Sequence, residues 1–260
     1  MSKFKNILIT GAGSGLGQSL TIELSKTAEN IFICGRNLEK LQQTKLYCKN
    51  SPANIHEKIL DVKDQFAIQQ WIDEIEQNHP IDLVIANAGI SAGTANGSES
   101  QNQINEIFQT NFFGVINTIN PLISKMQNRQ SGQIVIISSM ASFIALPSSP
   151  AYSSSKVAIR YYGEALRINL QQFNIKVNIV CPGYIKTPMT AVNNFYMPFL
   201  MDCPTASKKI IRGIEKNQSV IIFPKILFYV INLKNLLPQK ILEYILSKLP
   251  KKSGLEKIAS

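Results

Sequence analysis

The stretch from Asn6 to Gly17 constrains this chain more than any other. A short apolar run, Asn6–Thr10 (NILIT), leads directly into Gly11, Gly13, Gly15 and Gly17. An apolar strand that ends in a glycine turn and then opens a helix gathers free N–H groups and a positive dipole end at one point. Such a point suits a pyrophosphate. Gly11 permits a tight turn, Gly15 lets main chain approach the phosphates, and Gly17 lets the helix pack close to the sheet. Ser14 and Leu16 lie in the same loop and belong to the expected cofactor contacts. The spacing departs from G-x-G-x-x-G, and a purely structural turn is the competing reading; the strand–loop–helix setting favours the cofactor.

Beyond the loop, short apolar runs alternate with longer amphipathic ones. Strands are predicted at Asn6–Thr10, Asn30–Cys34, Ile55–Leu60, Ile81–Asn87, Gln133–Ser138, Ile175–Val180 and Ser219–Phe223. Helices are predicted from the glycine loop to near Lys26, and over Asn37–Asn50, Asp64–Asn78, Gln103–Met126, Tyr152–Phe173 and Thr205–Lys216. In the third of these Phe66, Trp71, Ile72 and Ile75 should face inward. Alternation at these lengths implies right-handed crossovers and a parallel sheet. Runs that are apolar throughout suit strands buried on both faces. The expected fold is α/β: a doubly wound, Rossmann-type, mostly parallel sheet of seven strands with helices on both faces. Ligands in such sheets bind at the strands' carboxyl ends.

The end of the second strand selects the cofactor. An NAD site places a carboxylate there for the ribose 2′-hydroxyl; this chain has Gly35-Arg36-Asn37. A guanidinium binds a 2′-phosphate through paired, charge-assisted hydrogen bonds. NADP(H) is therefore expected over NAD(H), with Arg36 as a solvated loop residue the alternative. Asp61, after the third strand, suits an adenine amine or a helix cap equally well.

Tyr152 and Lys156 are four residues apart, so one helix face carries both. A free phenol with a pKa of about 10 is a poor acid at neutral pH. A nearby ammonium favours the phenolate and brings the group toward the working range. Ser139 follows the fifth strand and offers a hydroxyl for a substrate oxygen. Ser138 competes for that role, but strand alternation lets only one of the two face the cleft.

In this order the motifs resemble the short-chain dehydrogenase/reductase family, in the branch whose subunits are about as long as this chain. The matching residues are TGAGSGLG at 10–17, ANAG at 86–89, Asn111 within NFFG, ISS at 137–139, YSSSK at 152–156, and CPG at 181–183 followed by Thr187. The likeness spans residues 4 to 223. It implies a catalytic set of Asn111, Ser139, Tyr152 and Lys156, with Asn111 holding a main-chain kink and a relay water. It implies that Asn87, Ala88 and Gly89 line the adenine-ribose side of the cofactor. It places Pro182, Gly183, Ile185 and Thr187 around the nicotinamide, and Ser139 rather than Ser138 at the substrate. Ala86 stands where the family often has a second asparagine. A homodimer or homotetramer is implied, built on the helices beginning near Gln103 and Ala151.

A substrate lid is expected over residues 186–203, rich in Met189, Phe195, Tyr196, Met197, Phe199, Leu200 and Met201. That set suits an apolar or lipid-like substrate, although packing on the core or on a partner subunit would also use it. The expected organisation is a catalytic domain at 1–223 and a basic amphipathic extension at 224–260. The net charge of +10 is uneven: from Leu200 to Ser260, eleven Lys or Arg face four Asp or Glu. A helix predicted over Pro238–Leu249 has Ile241, Leu242, Ile245, Leu246 and Leu249 on one side, and Lys251 and Lys252 follow. Peripheral contact with an anionic membrane is expected from such a face; packing on the parent domain or a second subunit competes. Nucleic acid is not an expected partner, since no recognition motif accompanies the charge.

His56, His79 and the four cysteines, Cys34, Cys48, Cys181 and Cys203, show no metal-ligand or redox spacing, so no metal is expected. Reduced thiols and the lack of a leader pattern point to a cytoplasmic protein, with the inner face of a membrane as the place for the extension. The expected activity is NADP(H)-dependent interconversion of a carbonyl and an alcohol on a small molecule, with Tyr152 as acid/base. A 3-oxoacyl-thioester reductase of lipid synthesis is one alternative; a cofactor-binding scaffold or sensor is the non-enzymic one.

Overall fold

The computed structural model describes residues 4–94, 97–250, 252 and 254. Seven strands, β1 (Asn6–Thr10), β2 (Asn30–Gly35), β3 (Asn54–Ile59), β4 (Leu83–Ala86), β5 (Gly132–Ile137), β6 (Ile175–Pro182) and β7 (Val220–Phe223), form one sheet. Every pair of neighbours runs parallel, in the order β3-β2-β1-β4-β5-β6-β7. The chain order reverses between β1 and β4, which opens a crevice at the carboxyl ends of those strands.

The helices are α1 (Gly15–Leu24), α2 (Leu38–Tyr47), α3 (Gln65–Glu76), α4 (Gln101–Phe108), α5 (Gly114–Arg129), α6 (Pro150–Leu170), α7 (Pro188–Ala191), α8 (Cys203–Glu215), α9 (Lys225–Asn232) and α10 (Gln239–Ser247). Side chains alternate across a strand, so β1 feeds two cores. Ile7 and Ile9 join Leu20 of α1, Leu41 of α2 and Ile210 of α8 on one face. Leu8 joins Ile72 of α3, Ile119 of α5 and Ile159 of α6 on the other. The rim strand β3 is mostly exposed, and its Glu57 meets Lys45 at 2.7 Å. The rim strand β7 is flanked by α9.

Several expectations change. The helix expected over 103–126 is two helices joined by a π turn at Gln109–Phe113, with Asn111 inside the turn. The catalytic helix starts at Pro150, because proline suits a first turn, where its missing N–H costs nothing. Phe66 points outward and is exposed, while Trp71, Ile72 and Ile75 are buried. Asp61 does not cap α3; Asp64 does, accepting the Ala67 N–H at 2.9 Å. The extension holds a helix, α9, that periodicity did not announce. Lys251 and residues 255–260 lie outside the described residues. All four cysteines are free thiols, three of them buried. Among the described residues no helix is long and apolar enough to cross a membrane, and no cluster of His, Cys, Asp or Glu could hold a metal ion.

Candidate active site

At the crevice the carboxyl ends of the strands and the loops after them line a cleft of about 390 Å³. Gly11 sits at φ +67°, a left-handed conformation that glycine adopts freely. A Cβ at Gly17 would lie 2.4 Å from the Gly11 carbonyl and 2.5 Å from Asn87 Nδ2. Only glycine lets α1 come that near. Asn87 fixes this corner by donating from Nδ2 to the carbonyls of Thr10 at 2.9 Å and Gly11 at 3.2 Å. Ser14, at the N-cap of α1, makes no capping bond with its side chain. The first N–H groups of α1 therefore face the cleft without a side-chain acceptor.

Gly11, Ser14, Gly15, Leu16, Arg36, Asp61, Asn87, Ala88, Gly89, Ser139, Tyr152, Lys156, Pro182, Gly183, Ile185 and Thr187 all line this one cleft. Gly17 supports it from behind. Asn111 does not line it. Lys40 does, with Arg36 and Asn37, and sequence reading missed it. The signal was present: Asn37 caps α2 by accepting the Lys40 N–H at 2.9 Å, which brings Lys40 onto the turn facing the cleft. Among the described residues neither Arg36 nor Lys40 pairs with a carboxylate.

The catalytic candidates meet around Gly89. A Cβ there would stand 3.2 Å from Asn111 Oδ1 and 3.5 Å from Lys156 Nζ. Asn111 is fully buried. Its Oδ1 accepts the Ile90 N–H at 2.8 Å, and its Nδ2 donates to the Ile90 carbonyl at 2.9 Å and to Ser155 Oγ at 3.2 Å. Asn111 thus ties the loop after β4 to α6. Both serines border the cleft, but they are held differently. Ser138 Oγ donates to the Lys156 carbonyl at 2.9 Å and is buried. Ser139 lines the cleft beside Tyr152, and its Oγ accepts the Ala141 N–H at 3.1 Å.

Burial pushes the Tyr152 phenol above its ordinary value; the Ser139 hydroxyl opposes this, and Tyr184 adds to it. Lys156 Nζ lies 5.9 Å from the centre of the Tyr152 ring and donates to the Ile137 carbonyl at 3.0 Å. Burial pulls its ammonium down to about 8. A desolvated ammonium with one carbonyl partner retains donors for hydroxyl groups. The cradle, the unpaired cations and this ammonium fit a dinucleotide in one orientation, with phosphates on α1, one ribose toward Arg36 and the other toward Lys156.

The segment expected to be a lid is tied at both ends: the Lys186 N–H donates to the Met201 carbonyl at 2.8 Å, and the Met201 N–H to the Tyr184 carbonyl at 3.0 Å. Between them Tyr196, Phe199 and Leu200 are exposed, while Met189 reaches the cleft and Met201 packs on the core.

The family model described as short chain dehydrogenase matches residues 5–195. An uncharacterized oxidoreductase of Myxococcus xanthus is 33% identical over 223 residues, covering 85% of this chain and 88% of that one. A short-chain dehydrogenase/reductase of Burkholderia phymatum, solved in complex with NAD, has a TM-score of 0.82 at 20% identity over 90% of this chain and 95% of its own. A short-chain dehydrogenase of Sphingobium yanoikuyae, in complex with NADPH, has a TM-score of 0.79 at 18% identity over 95% of this chain and 96% of its own.

Proposed function

The chain belongs to the short-chain dehydrogenase/reductase family of oxidoreductases, and from that premise we propose that it is an NADP(H)-dependent enzyme interconverting a carbonyl and an alcohol, with Tyr152 as its acid/base. The observation that carries the reading is the meeting of Ser139, Tyr152 and Lys156 in the cleft that holds the glycine cradle. Relatives of this fold have been solved with NAD and with NADPH, so the choice is read from this chain's own residues. Arg36 and Lys40, which pair with no carboxylate among the described residues, favour a 2′-phosphate.

When bound, the reduced nicotinamide supplies the hydride that reaches the carbonyl carbon. Ser139 donates a hydrogen bond to the carbonyl oxygen and orients it. Tyr152 gives its phenolic proton to the oxygen as negative charge develops there. Lys156 holds ribose hydroxyls and favours the phenolate left behind. Asn111 positions the loop and α6 rather than touching the reactants. In the alcohol-oxidising direction the same proton returns to Tyr152, and the positive charge of the oxidised nicotinamide offsets the burial that raises the phenol.

The substrate is apolar or lipid-like on this reading, since Met189 faces the cleft and exposed aromatics crown the lid. The catalytic unit ends at residue 223. The extension after it rests on an anionic membrane surface: no residue of α9 or α10 is buried, Leu236 is 79% exposed, and Lys225, Lys240 and Lys248 accompany the apolar side chains. Exposed Phe113, Tyr161 and Ile168 suit self-association along α5 and α6.

The test is NADPH oxidation with the full chain against carbonyl compounds of graded chain length and ring size, repeated with NADH. Tyr152→Phe is expected to lower kcat by about 10²–10⁴-fold while leaving the NADPH dissociation constant, read by fluorescence titration, close to wild type. Turnover retained by this variant would remove Tyr152 from its role.

A further inference from the structure

A second lysine approaches the catalytic phenol. Lys252 Nζ lies 5.7 Å from the centre of the Tyr152 ring and donates to Ser91 Oγ at 2.6 Å. Residue 252 belongs to the extension, about a hundred residues from Tyr152 along the chain, so this meeting is a product of the fold. The loop after β4 is shaped to receive it. A Cβ at Gly93 would stand 2.3 Å from the Lys252 carbonyl oxygen and 2.5 Å from Lys252 Cβ. Only a glycine lets the two backbones close to that distance.

The ammonium there is under-compensated. Among the described residues Lys252 forms no ion pair. Glu99, the acidic residue of the neighbouring loop, is engaged elsewhere: it accepts the Ala151 N–H at 2.8 Å and Gln103 Nε2 at 3.2 Å. An ammonium has three donors; Ser91 takes one and the face of the Tyr152 ring offers a weak partner for another. Burial pulls Lys252 down to about 8, with no neighbouring charge opposing the fall. Lys156 has a task in the reaction; Lys252 has none. An ammonium partly withdrawn from water and, among the described residues, away from carboxylates gains when an anion completes it.

We infer that Lys252 is the anion-binding end of the substrate site, so that the preferred substrate is an amphiphilic ketone bearing a carboxylate or phosphate within a few bonds of its carbonyl. This deepens the reading of Tyr152 as the acid and rests on it. The apolar lid takes the chain of such a molecule, and Ser91 and Lys252 take its charged end. The anion lies within a few bonds of the reacting carbon, because a charge-assisted hydrogen bond places it about 2.8 Å from an amine that itself lies 5.7 Å from the centre of the Tyr152 ring.

Three ketones of equal chain length decide the matter: one ending in a carboxylate, one in a phosphate and one in a primary amide. Their kcat/KM values are measured with saturating NADPH on the full-length protein, on Lys252→Met and on Lys252→Arg. In the wild type at least one anionic ketone is expected to exceed the amide by about 10- to 100-fold, and the larger ratio identifies the anion. Lys252→Met is expected to bring that ratio near 1, and Lys252→Arg to restore part of it. Equal use of all three ketones by the wild type, or a ratio that survives Lys252→Met, overturns the inference. So does a uniform gain for all three in Lys252→Met, which would make the side chain an obstruction. Calorimetric titration of the NADP+-loaded wild type and Lys252→Met with the same ketones reads the subsite without turnover. Anion-selective binding without reduction of any ketone would therefore count against the acid role of Tyr152 and not against the subsite.

Discussion

At the scale of single residues, the proposed preference for NADP(H) rests on the end of β2. Arg36→Ala is expected to raise KM for NADPH by about 10- to 100-fold, one lost charge-assisted pair, and to change KM for NADH by less than about 3-fold; initial rates with each cofactor check this. Arg36 was legible because a cation where a carboxylate is usual reverses the electrostatics of the pocket. Lys40 was not, because its place depends on the cap at Asn37. Strand alternation said only that Ser138 and Ser139 would differ; the preference for Ser139 came from the family resemblance. The direction in which the Tyr152 phenol moves was not legible: spacing reports that an ammonium is near, but not that burial governs the phenol. Lys156 carries a further consequence. Its pKa falls from 10.5 to about 8 on burial, so between those values the unfolded chain holds more protons than the folded one. Stability contributed by this group therefore rises with pH across that window. Lys156→Met is expected to flatten the rise, as denaturant unfolding of both proteins at pH 7.5 and 9.5 measures.

At the scale of elements, most helices and strands followed from periodicity, and the failures share a cause. A π turn adds one residue to a helix without disturbing the apolar pattern on either side of it, so Gln109–Phe113 was read as plain helix. Its place was implied by resemblance alone, through Asn111. The run from Ile226 to Leu233 is apolar on all sides, which gives no period to detect. Its helix, α9, became evident from its packing: Phe228 meets Phe143 edge-on at 5.0 Å, and Lys234 donates to the Phe143 carbonyl. These contacts hold the extension against the turn that follows Ser139, beside the cleft. The outward face of α9 and α10 is the part proposed to meet lipid. The full chain is expected to sediment with phosphatidylglycerol vesicles and far less with phosphatidylcholine. Leu236→Glu with Ile241→Glu should cut that binding more than about tenfold, from the lost burial of two large side chains. Unchanged sedimentation of the double variant would remove the membrane from the account.

At the scale of the whole molecule, the two cores share the strands between them, and the cofactor cleft lies across the ends of those strands. A dinucleotide that binds only the folded chain stabilises both cores together. At a hundredfold excess over its dissociation constant the gain is about 2.7 kcal/mol. That corresponds to roughly 5–10 °C in the unfolding midpoint of a chain this long. A thermal scan with and without NADPH is expected to show it, with a smaller shift for Arg36→Ala at the same concentration. The sheet also has two rims. An open sheet presents unpaired N–H and C=O groups at each, ready to recruit strands from other molecules. Here β3 lines one rim with mostly exposed residues, Glu57 among them paired with Lys45, and β7 at the other is only four residues long before Pro224 leads into α9. A border that short offers a foreign strand few partners, so a change that lengthened β7 would invite fibril growth before it cost any chemistry.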